Sequence, residues 1–317
     1  MMGRVTVVIA SRDRAVGLER TLARLRALSE RPSVIVVDNG STDGTRERLA
    51  RAFPEVRVIP LERNLGAVAR NVGVAAADTP YVAFADDDSW WADGALARAE
   101  ALLDAYPRLA LIAARTLVGP SERLDPMAAF MAAAPLEGAD DLPGPSVLGF
   151  LACAAVVRRE AYLAVGGFDP VVFFMGEEAR LAYDLAAAGW GLAYCADVVA
   201  HHHPQPGGDR GRKRALAARN RALTAWMRRP LRVALAETAP LLRNAVTDPV
   251  ARTALGQFAV RLPRALRGRR AADPAVEAAL ARLVAAEARH GYSPDAAGAA
   301  GAPASTAAGG VGRGAGG

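Results

Sequence analysis

The chain has 317 residues, of which 52% are hydrophobic and 23% charged, so a wholly disordered or collagen-like chain is excluded. This length predicts one large domain or two ordinary ones. The net charge of +6 is unevenly divided: residues 1–200 hold 20 basic and 26 acidic side chains, whereas residues 201–317 hold 19 and 7. Only the second part is therefore strongly basic.

Cysteine content and hydropathy indicate the compartment. Two cysteines, Cys153 and Cys195, are too few for a disulfide framework or a cysteine zinc site, which favours a reducing compartment. The N-terminal residues lack a charged leader followed by a long apolar stretch, so no signal peptide is predicted. The uncharged run at 142–157 is short for a bilayer and contains prolines and glycines, so no transmembrane helix is predicted.

The first third of the chain alternates short apolar runs with amphipathic stretches. Apolar runs predict strands at 5–10, 33–38, 56–60, 81–85 and 109–114. The intervening patterns predict helices around Leu18 to Leu28, before Phe53, at 66–77 and near 92–105. Because such strands alternate with helices, we expect a parallel sheet covered on both faces, an architecture typical of nucleotide-binding proteins.

The rest of the chain has a different organisation. It is predicted to contain a long loop with one short helix at 118–146, a strand at 147–157, helices at 159–165 and 177–188, and a strand at 192–195. Residues 210–270 are mainly helical in pattern and carry 16 basic residues against two acidic ones. The Gly/Ala-rich end, 293–317, is expected to be disordered.

Polar clusters follow three of the predicted strands. Asp86, Asp87 and Asp88 come directly after the apolar run at 81–85, where adjacent carboxylates repel one another unless a cation or a donor cluster is present. Oxygen ligands of this kind suit Mg²⁺ or Mn²⁺, although an acidic loop capping the next helix is the alternative. Similar clusters lie at 11–13 and 38–43. Since the carboxyl ends of parallel strands share one edge, a common ligand pocket is expected there.

These segments resemble family 2 glycosyltransferases with the GT-A fold. The resemblance covers about residues 4–226 and rests on VTVVIASRDR, VVDNGSTDGT, RNLGAVARNVGVAAADTPYVAFADDD, ACAAVVRREAYLAVGGFDP, FFMGEEARLAYDLAAAGW and YCADVVAHHHP. It implies a Rossmann-like α/β fold: a mixed, mainly parallel sheet with helices on both faces and a C-terminal helical extension. It also implies inverting, metal-dependent transfer of a hexosyl or deoxyhexosyl group from a nucleoside-diphosphate sugar to a hydroxyl acceptor. A catalytically inactive nucleotide-sugar-binding protein is the alternative.

The resemblance also implies roles for single residues. The acidic triplet matches the family's DXD-type motif, in which Asp88 would bind Mn²⁺ or Mg²⁺ and Asp86 would face the ribose or the metal. Asn39 stands where many members carry Asp, which leaves the preference for the base open. The implied nucleotide-sugar-binding set is Ser11, Arg12, Asp38, Asn39, Asn64, Arg70, Asp86 and Asp87.

The family's acidic helix motif matches residues 177–190. This places Glu178 as the general base that takes the proton of the acceptor hydroxyl, with Glu177 as the competing candidate. Arg180 and Asp184 stand where the family has Asp and Arg respectively. Because the two exchanged charges are four residues apart on a helix, we expect them to form a structural ion pair.

Three consecutive histidines follow the last predicted strand. The family places a histidine at the metal or the diphosphate in this region, and counting favours His202 as the ligand. In an extended segment His201 and His203 would share one side and His202 the other. Of the tryptophans, Trp190 is expected in the core, and Trp91 is the better candidate for acceptor contact.

The basic region has several interpretations. Arg212, Lys213 and Arg214 are placed to bind a diphosphate, whereas the apolar side chains of 226–242 suit attraction to anionic lipid, and a solvated helical face is the third interpretation. Nucleic-acid binding leaves the carboxylates unexplained, so no nucleic-acid partner is expected. We predict a catalytic domain at 1–209, a basic helical extension at 210–292 and a tail at 293–317, in a cytoplasmic protein with peripheral contact at the inner face of the membrane.

Overall fold

The computed structural model of the chain describes residues 3–136, 138–204 and 209–290. The predicted tail at 293–317 lies outside these residues. Strands are β1 (Val5–Ser11), β2 (Ser33–Asp38), β3 (Arg57–Pro60), β4 (Tyr81–Ala85), β5 (Ser89–Trp91), β6 (Leu109–Val118), β7 (Arg123–Leu124), β8 (Ala155–Arg158) and β9 (Gly191–His202). Helices are α1 (Ala15–Arg26), α2 (Thr45–Ala52), α3 (Ala69–Ala76), α4 (Ala95–Ala105), α5 (Pro126–Ala132), α6 (Arg159–Ala164), α7 (Glu177–Ala187), α8 (Arg210–Arg228), α9 (Leu231–Ala245), α10 (Pro249–Arg267) and α11 (Pro274–His290).

One mixed sheet organises the first two thirds of the chain. Its order is β3-β2-β1-β4-β8-β6-β9-β5, with β7 paired to β6. The strands β3, β2, β1 and β4 are mutually parallel, whereas β8 runs antiparallel to both of its neighbours. The predicted mixed α/β architecture is therefore confirmed, and the carboxyl ends of the first four strands meet at one edge.

Helices cover both faces of the sheet because its central strands are apolar on both sides. The strand β4 is buried along its whole length. One hydrophobic core includes side chains of α1, α2 and α4, and the other includes side chains of α3, α5, α6 and α7. The chain thus forms three layers, as expected for strands without polar alternation.

The segment at 147–157 departs from its predicted strand. Only β8 at its end is extended within the sheet, and a single 3₁₀ turn at Ala152–Ala154 precedes it. Val147 and Phe150 are buried in the core without a continuous ladder, so their apolar character reflects packing of an irregular segment. Hydropathy alone does not distinguish a buried strand from an irregular segment that packs in the core.

The last strand, by contrast, is much longer than predicted. β9 extends from Gly191 to His202 because its first half pairs with β6 and its end pairs with β5 as well. β6 likewise continues to Val118 instead of ending at 114, and α5 supplies the short helix expected in the following segment. His201 and His202 therefore belong to a strand, and His203 follows it directly.

The four C-terminal helices pack on the edge of this domain that carries α7. Buried side chains of α8, α9 and α10 surround Val171 and Val172 in a core of their own. The helix α11 contributes Val276 and Leu280 to a small cluster with Leu136 and Leu148. Within the described part of the chain, no helix is both long and apolar enough to cross a membrane.

An ion cluster connects α7 to α8. Asp184 lies 2.9 Å from Arg180, the predicted partner on the same helix, and accepts two hydrogen bonds from Arg228 of α8. Arg180 also lies 3.4 Å from Asp169 and donates to the carbonyl of Gly167. The exchanged pair is thus part of a network between helices, with all of these charged side chains largely buried.

Removing the central carboxylate of this cluster should destabilise the fold. We expect Asp184→Asn to lower the free energy of unfolding by about 3 kcal/mol, because two guanidinium groups remain buried with less compensation. Chemical denaturation measures the effect. In the matched control, Glu55→Gln breaks an exposed pair with Arg26 and should cost less than about 1 kcal/mol. Equal costs for the two substitutions would contradict the structural role of the cluster.

Candidate active site

The predicted polar edge of the sheet is formed by the ends of β1, β2 and β4. Strand register places Ser11 beside Asp38. The loops after β1 and β2 are tied together, because Ser41 accepts from the Asp13 amide at 3.0 Å and Asp13 accepts from the Thr42 amide at 2.7 Å. These loops therefore form one rigid rim beside the acidic triplet.

The acidic triplet meets the histidine tract because β5 pairs with the end of β9. This register sets Ser89 opposite His202, and the Oδ1 atom of the preceding Asp88 lies 3.5 Å from His202 Nε2. The amide of His203 donates to the carbonyl of Asp88 at 2.8 Å. Burial opposes protonation of His202, but the hydrogen bond and charge of Asp88 outweigh it and raise the pKa of His202.

The other two histidines lie on the opposite side of the strand. His201 stacks on Trp90 and lies 3.1 Å from Glu122, and the ring of His203 is tilted against the same tryptophan. The expected alternation along the tract is therefore observed, and His202 is the histidine that faces the triplet.

Asp86 and Asp87 have separate environments. Asp86 forms an ion pair with Arg70 of α3, and its amide donates to the Ser89 hydroxyl at 2.7 Å. Asp87 instead faces α1, where Arg14 lies 4.0 Å away. Burial, reinforced by the charges of Asp88 and Asp86, raises the pKa of Asp87 to about 6. Asp86 and Asp88 thus face Arg70 and His202 respectively, whereas Asp87 faces the start of α1.

Arg70 connects the triplet to the two glutamates at the start of α7. Its side chain is buried between Asp86 and Glu177, whose Oε1 atom is 4.0 Å from Arg70 Nη1. Burial opposes its charge, but the carboxylates outweigh this and raise the pKa of Arg70. This guanidinium therefore brings two acidic motifs, about ninety residues apart in sequence, to one site.

The two glutamates differ in exposure. Glu177 is only 3% exposed, and its Oε2 atom has no hydrogen-bond partner among the described residues. Burial, together with the charge of Glu178, raises the pKa of Glu177 to about 8. Glu178 is partly exposed, and burial raises its pKa too. The second glutamate is therefore the more accessible carboxylate.

The residues that the resemblance implies for nucleotide binding differ in whether their polar groups are already engaged in hydrogen bonds. Ser11 is buried, and its hydroxyl has no hydrogen-bond partner in the described ranges. The Asn39 amide is engaged at both ends, accepting from the Leu65 amide at 2.7 Å and donating to the Gly66 carbonyl at 3.1 Å. Asn39 therefore holds the loop after β3 in place.

The remaining members of that set lie at the same edge. Asn64 accepts from the amide of Gly66 at 2.8 Å. Asp38 accepts from the Ser41 amide, and its other oxygen lies 2.9 Å from Arg46. Arg12 is exposed beside Asp13. Of these side chains, Arg12 is the most exposed to solvent.

The expectation for Trp91 is wrong. Its side chain is 0% exposed and lies in the hydrophobic core, because β5 turns this ring inward when it pairs with β9. Trp90, the neighbouring residue, is partly exposed beside the histidines. Trp190 packs at the margin of the other core, as expected.

The segment at 171–176, just before the glutamates, is held from both sides. Its Phe173 carbonyl accepts from the Ala67 amide at 2.7 Å. On the other side, Asn220 of α8 donates to the carbonyls of Phe174 and Met175, both at 2.6 Å, and Arg219 donates to the carbonyl of Val172. Neither of these two α8 residues is among the site residues predicted from the sequence.

Strain in this segment explains why it needs such support. Phe173 and Met175 adopt φ values of 72° and 74°, in the left-handed region that side chains with a Cβ rarely occupy. Such conformations persist when the surroundings over-determine them and are common at functional sites. The contacts from Asn220 and Arg219 supply that constraint.

The donor set fits a divalent cation that also binds substrate oxygens. Within the described ranges no group of three or more His, Cys, Asp or Glu side chains is arranged as a complete metal cage. Asp88 and His202 instead offer one carboxylate and one imidazole close together. Mn²⁺ and Mg²⁺ accept few protein ligands when phosphates supply the others.

Comparison with known proteins agrees with this geometry. A family model described as glycosyl transferase family 2 matches residues 6–166. An N-acetylglucosaminyl-diphospho-decaprenol L-rhamnosyltransferase from Mycobacterium tuberculosis is 31% identical over 260 residues, which cover 68% of this chain and 83% of the relative. A pre-mycofactocin glycosyltransferase from the same organism is 36% identical over 212 residues, covering 63% of this chain and 43% of that protein.

Solved structures share the fold. A mannosyltransferase from Pyrobaculum calidifontis, in complex with GDP-Man and Mn²⁺, aligns with a TM-score of 0.58 at 21% identity, covering 94% of this chain and 85% of that chain. This likeness confirms the GT-A fold. Because the family model spans half of the chain and the rhamnosyltransferase matches over most of its own length, the chain belongs to glycosyl transferase family 2 and is a glycosyltransferase.

Proposed function

We propose that this enzyme is an inverting, divalent-cation-dependent transferase that moves a hexosyl or deoxyhexosyl group from a nucleoside-diphosphate sugar to an acceptor hydroxyl. The observation that carries the proposal is the position of Arg70, buried between Asp86 of the triplet and Glu177 of α7. This position supports a single pocket in which the proposed cation and diphosphate site lies close to a potential base. The acceptor classes are cell-surface glycans, glycolipids and secondary metabolites, and the named acceptor of the rhamnosyltransferase relative favours a glycolipid.

Asp88 and His202 would hold Mn²⁺ or Mg²⁺ with the diphosphate of the donor. The cation would supply Lewis-acid stabilisation of the negative charge on the departing diphosphate. In this arrangement Asp86 is the DXD residue that faces the ribose or the metal, and Arg70 holds its carboxylate in position. Ser11, Arg12, Asp38, Asn64 and Asp87 remain proposals for the nucleotide side of the pocket.

Glu178 is the better candidate for the general base. A base must reach the acceptor hydroxyl, and the side chain of Glu178 is partly exposed whereas that of Glu177 is buried. A raised pKa also makes a carboxylate a stronger base once it is ionised. Glu177 then acts as a positioning residue for Arg70.

The alternative is a protein that binds nucleotide sugars without catalysis. The exchanged charges at Arg180 and Asp184 are the sequence feature that favours this alternative, because they alter the family's acidic motif. Both side chains are engaged in the ion cluster with Arg228 and Asp169. The exchange therefore has a structural explanation that leaves Glu178 available, which favours the active enzyme.

We also propose peripheral contact with the inner face of an anionic membrane in a cytoplasmic setting. On α9, the exposed side chains Leu231, Leu235 and Leu242 recur at spacings that place them on one side of the helix, and exposed Val246 follows its last residue. Exposed Arg232 and Arg243 flank this stripe. A stripe of leucines beside arginines suits the interface of anionic lipids. Leu241, which belongs to the apolar range 226–242 predicted to contact lipid, is buried instead.

Replacing the proposed base should strongly slow transfer without preventing donor binding. We expect Glu178→Gln to lower kcat by about 10²–10⁴-fold. The matched control Glu160→Gln, at an exposed helix position, should leave kcat unchanged. Release of nucleoside diphosphate in a panel of donors and acceptors measures turnover. The opposite ranking, with Glu177→Gln inactive and Glu178→Gln active, would assign the base to the other glutamate.

The pH profile gives an independent test of the same residue. The base must be ionised, and burial raises the pKa of Glu178, so kcat/KM should fall with decreasing pH along a limb above the usual glutamate value of about 4.3. Any residual activity of Glu178→Gln should lack this limb. An unchanged acidic limb in the variant would assign it to another group.

The cation site is tested by thermal shift in the presence of nucleotide sugars. The wild type should gain stability only when Mn²⁺ and the nucleotide are both present, and Asp88→Asn or His202→Gln should remove that gain. His201→Gln is the matched control, because its ring faces Glu122 and Trp90 on the other side of β9. Equal loss in both histidine variants would contradict the assignment of His202.

The membrane proposal predicts salt-sensitive binding to anionic vesicles. We expect the double variant Leu235→Ser, Leu242→Ser to weaken vesicle binding by at least about tenfold, because each substitution removes a leucine side chain that would be buried in the lipid interface. Val284→Ser, at an exposed apolar position on α11, is the control. Co-sedimentation with anionic and neutral vesicles measures binding. Equal binding to both kinds of vesicle would exclude an electrostatic contribution of the arginines to membrane binding.

A further inference from the structure

A second concave site lies beside the strained segment that precedes the glutamates. The cavity has a volume of about 780 Å³ and is bounded by Phe173–Met175, the start of α8 and the middle of α10. Met175, in its wall, is three residues before Glu178. The cavity therefore lies beside the segment that leads into the proposed base.

The lining of this cavity is basic. Arg212, Lys213, Arg219 and Arg261 contribute four cationic side chains, and Asp209 is the single carboxylate among the lining residues. Asp209 is already engaged as the cap of α8, where it accepts from the amides of Gly211 and Arg212. The charge in the wall is thus strongly unbalanced.

Two of these cations have neutral partners only. Arg219, 2% exposed, donates to Asn220, Gln257 and the carbonyl of Val172. Arg261 donates to the carbonyls of Pro170 and Val171. Among the described residues, neither forms an ion pair. Burial and the nearby charge of Arg261 lower the pKa of Arg219 to about 10, which is the expected effect of an uncompensated positive site.

Part of the wall is apolar. Phe173, Phe174, Met175, Leu216 and Val260 line it together with the cations. Phe174 is 49% exposed and Val260 is 82% exposed, so both present apolar surface to any ligand in the cavity. An anion alone would leave this surface in water, whereas a phosphate ester of an apolar alcohol would cover it.

We propose that this cavity binds the phosphate or diphosphate group of a lipid-linked sugar acceptor, with the start of the lipid chain against Phe174 and Val260. The proposal deepens the proposed function and rests on it for the direction of transfer: the sugar attached to the bound phosphate would present its hydroxyl to Glu178. Arg212 and Lys213 would contact the phosphate from the exposed side, and Arg219 and Arg261 would supply the buried positive charge.

Binding of geranyl diphosphate, geraniol and inorganic pyrophosphate to the full chain tests the proposal by isothermal titration. The buffer contains EDTA, so that the cation-dependent donor site does not contribute. We expect geranyl diphosphate to bind at least tenfold more tightly than either fragment, because only it satisfies both the cations and the apolar wall. Equal affinity for pyrophosphate would assign the cavity to a free diphosphate and overturn the lipid-linked acceptor.

Variants locate the binding and separate it from catalysis. Lys213→Gln and Arg212→Gln should each weaken geranyl diphosphate binding about fivefold to tenfold, whereas Arg214→Gln, the neighbouring exposed arginine outside the lining, should not. Asp209→Asn keeps an oxygen to cap α8 and should tighten binding, since it removes the single carboxylate from the wall. Equal losses in Arg214→Gln and Lys213→Gln would overturn the site.

The failure of the proposed function would look different. Asp88→Asn should leave geranyl diphosphate binding unchanged, because that side chain belongs to the donor side. If the cavity binds as expected but no donor yields transfer, the proposed function fails and the binding site stands. If transfer occurs and Lys213→Gln does not raise the KM for a sugar-diphosphate lipid relative to an alkyl glycoside of the same sugar, the cavity proposal fails.

Discussion

The strained segment at 171–176 is the constraint on which the rest of the site depends. Its Phe173 carbonyl leaves no room for a side chain at Gly66, where a Cβ would lie 2.3 Å from that oxygen and where φ is +63°. Asn220 holds the following two carbonyls from the other side. Because the segment leads directly into Glu177 and Glu178, its fixed path sets where the start of α7 points. The loop after β3 and the helix α8 therefore determine the geometry of the glutamates from either side of this segment.

The sheet edge and the acidic triplet followed from sequence because both depend on local patterns. Apolar strands that end in polar clusters are visible along the chain, and parallel strands bring those ends together. The separation of His202 from His201 and His203 also followed, since side chains alternate in any extended segment, whereas the choice of His202 as the metal ligand came from the family resemblance. The ion pair of Arg180 and Asp184 followed from their spacing on a helix. These features require only the chain's own periodicity and short-range geometry.

Features that depend on contacts between residues far apart in the chain could not be predicted from the sequence. Trp91 is buried because β5 pairs with the end of β9, and the sequence near Trp91 does not reveal a partner more than a hundred residues away. The segment before β8 is apolar because it packs in the core, not because it forms a ladder. Arg228 joins the Asp184 cluster from another helix, which spacing within α7 cannot indicate. Tertiary packing decided each of these cases.

The basic character of residues 210–270 is not simply a surface property. Arg219 and Arg228 are buried, and they hold the segment before the glutamates and the helix α7 respectively. Arg269 donates to backbone carbonyls at the end of α8. These guanidiniums act as multivalent hydrogen-bond donors, a use for which arginine is better suited than lysine. Part of the charge that remains accessible lies at the cavity beside Met175, and part lies on the face of α9. The excess of positive charge in this region therefore does not form one basic patch. Part of it holds the fold together from inside, part lines the concave anion site, and part flanks the exposed leucine stripe. Neighbouring arginines consequently have different physical roles.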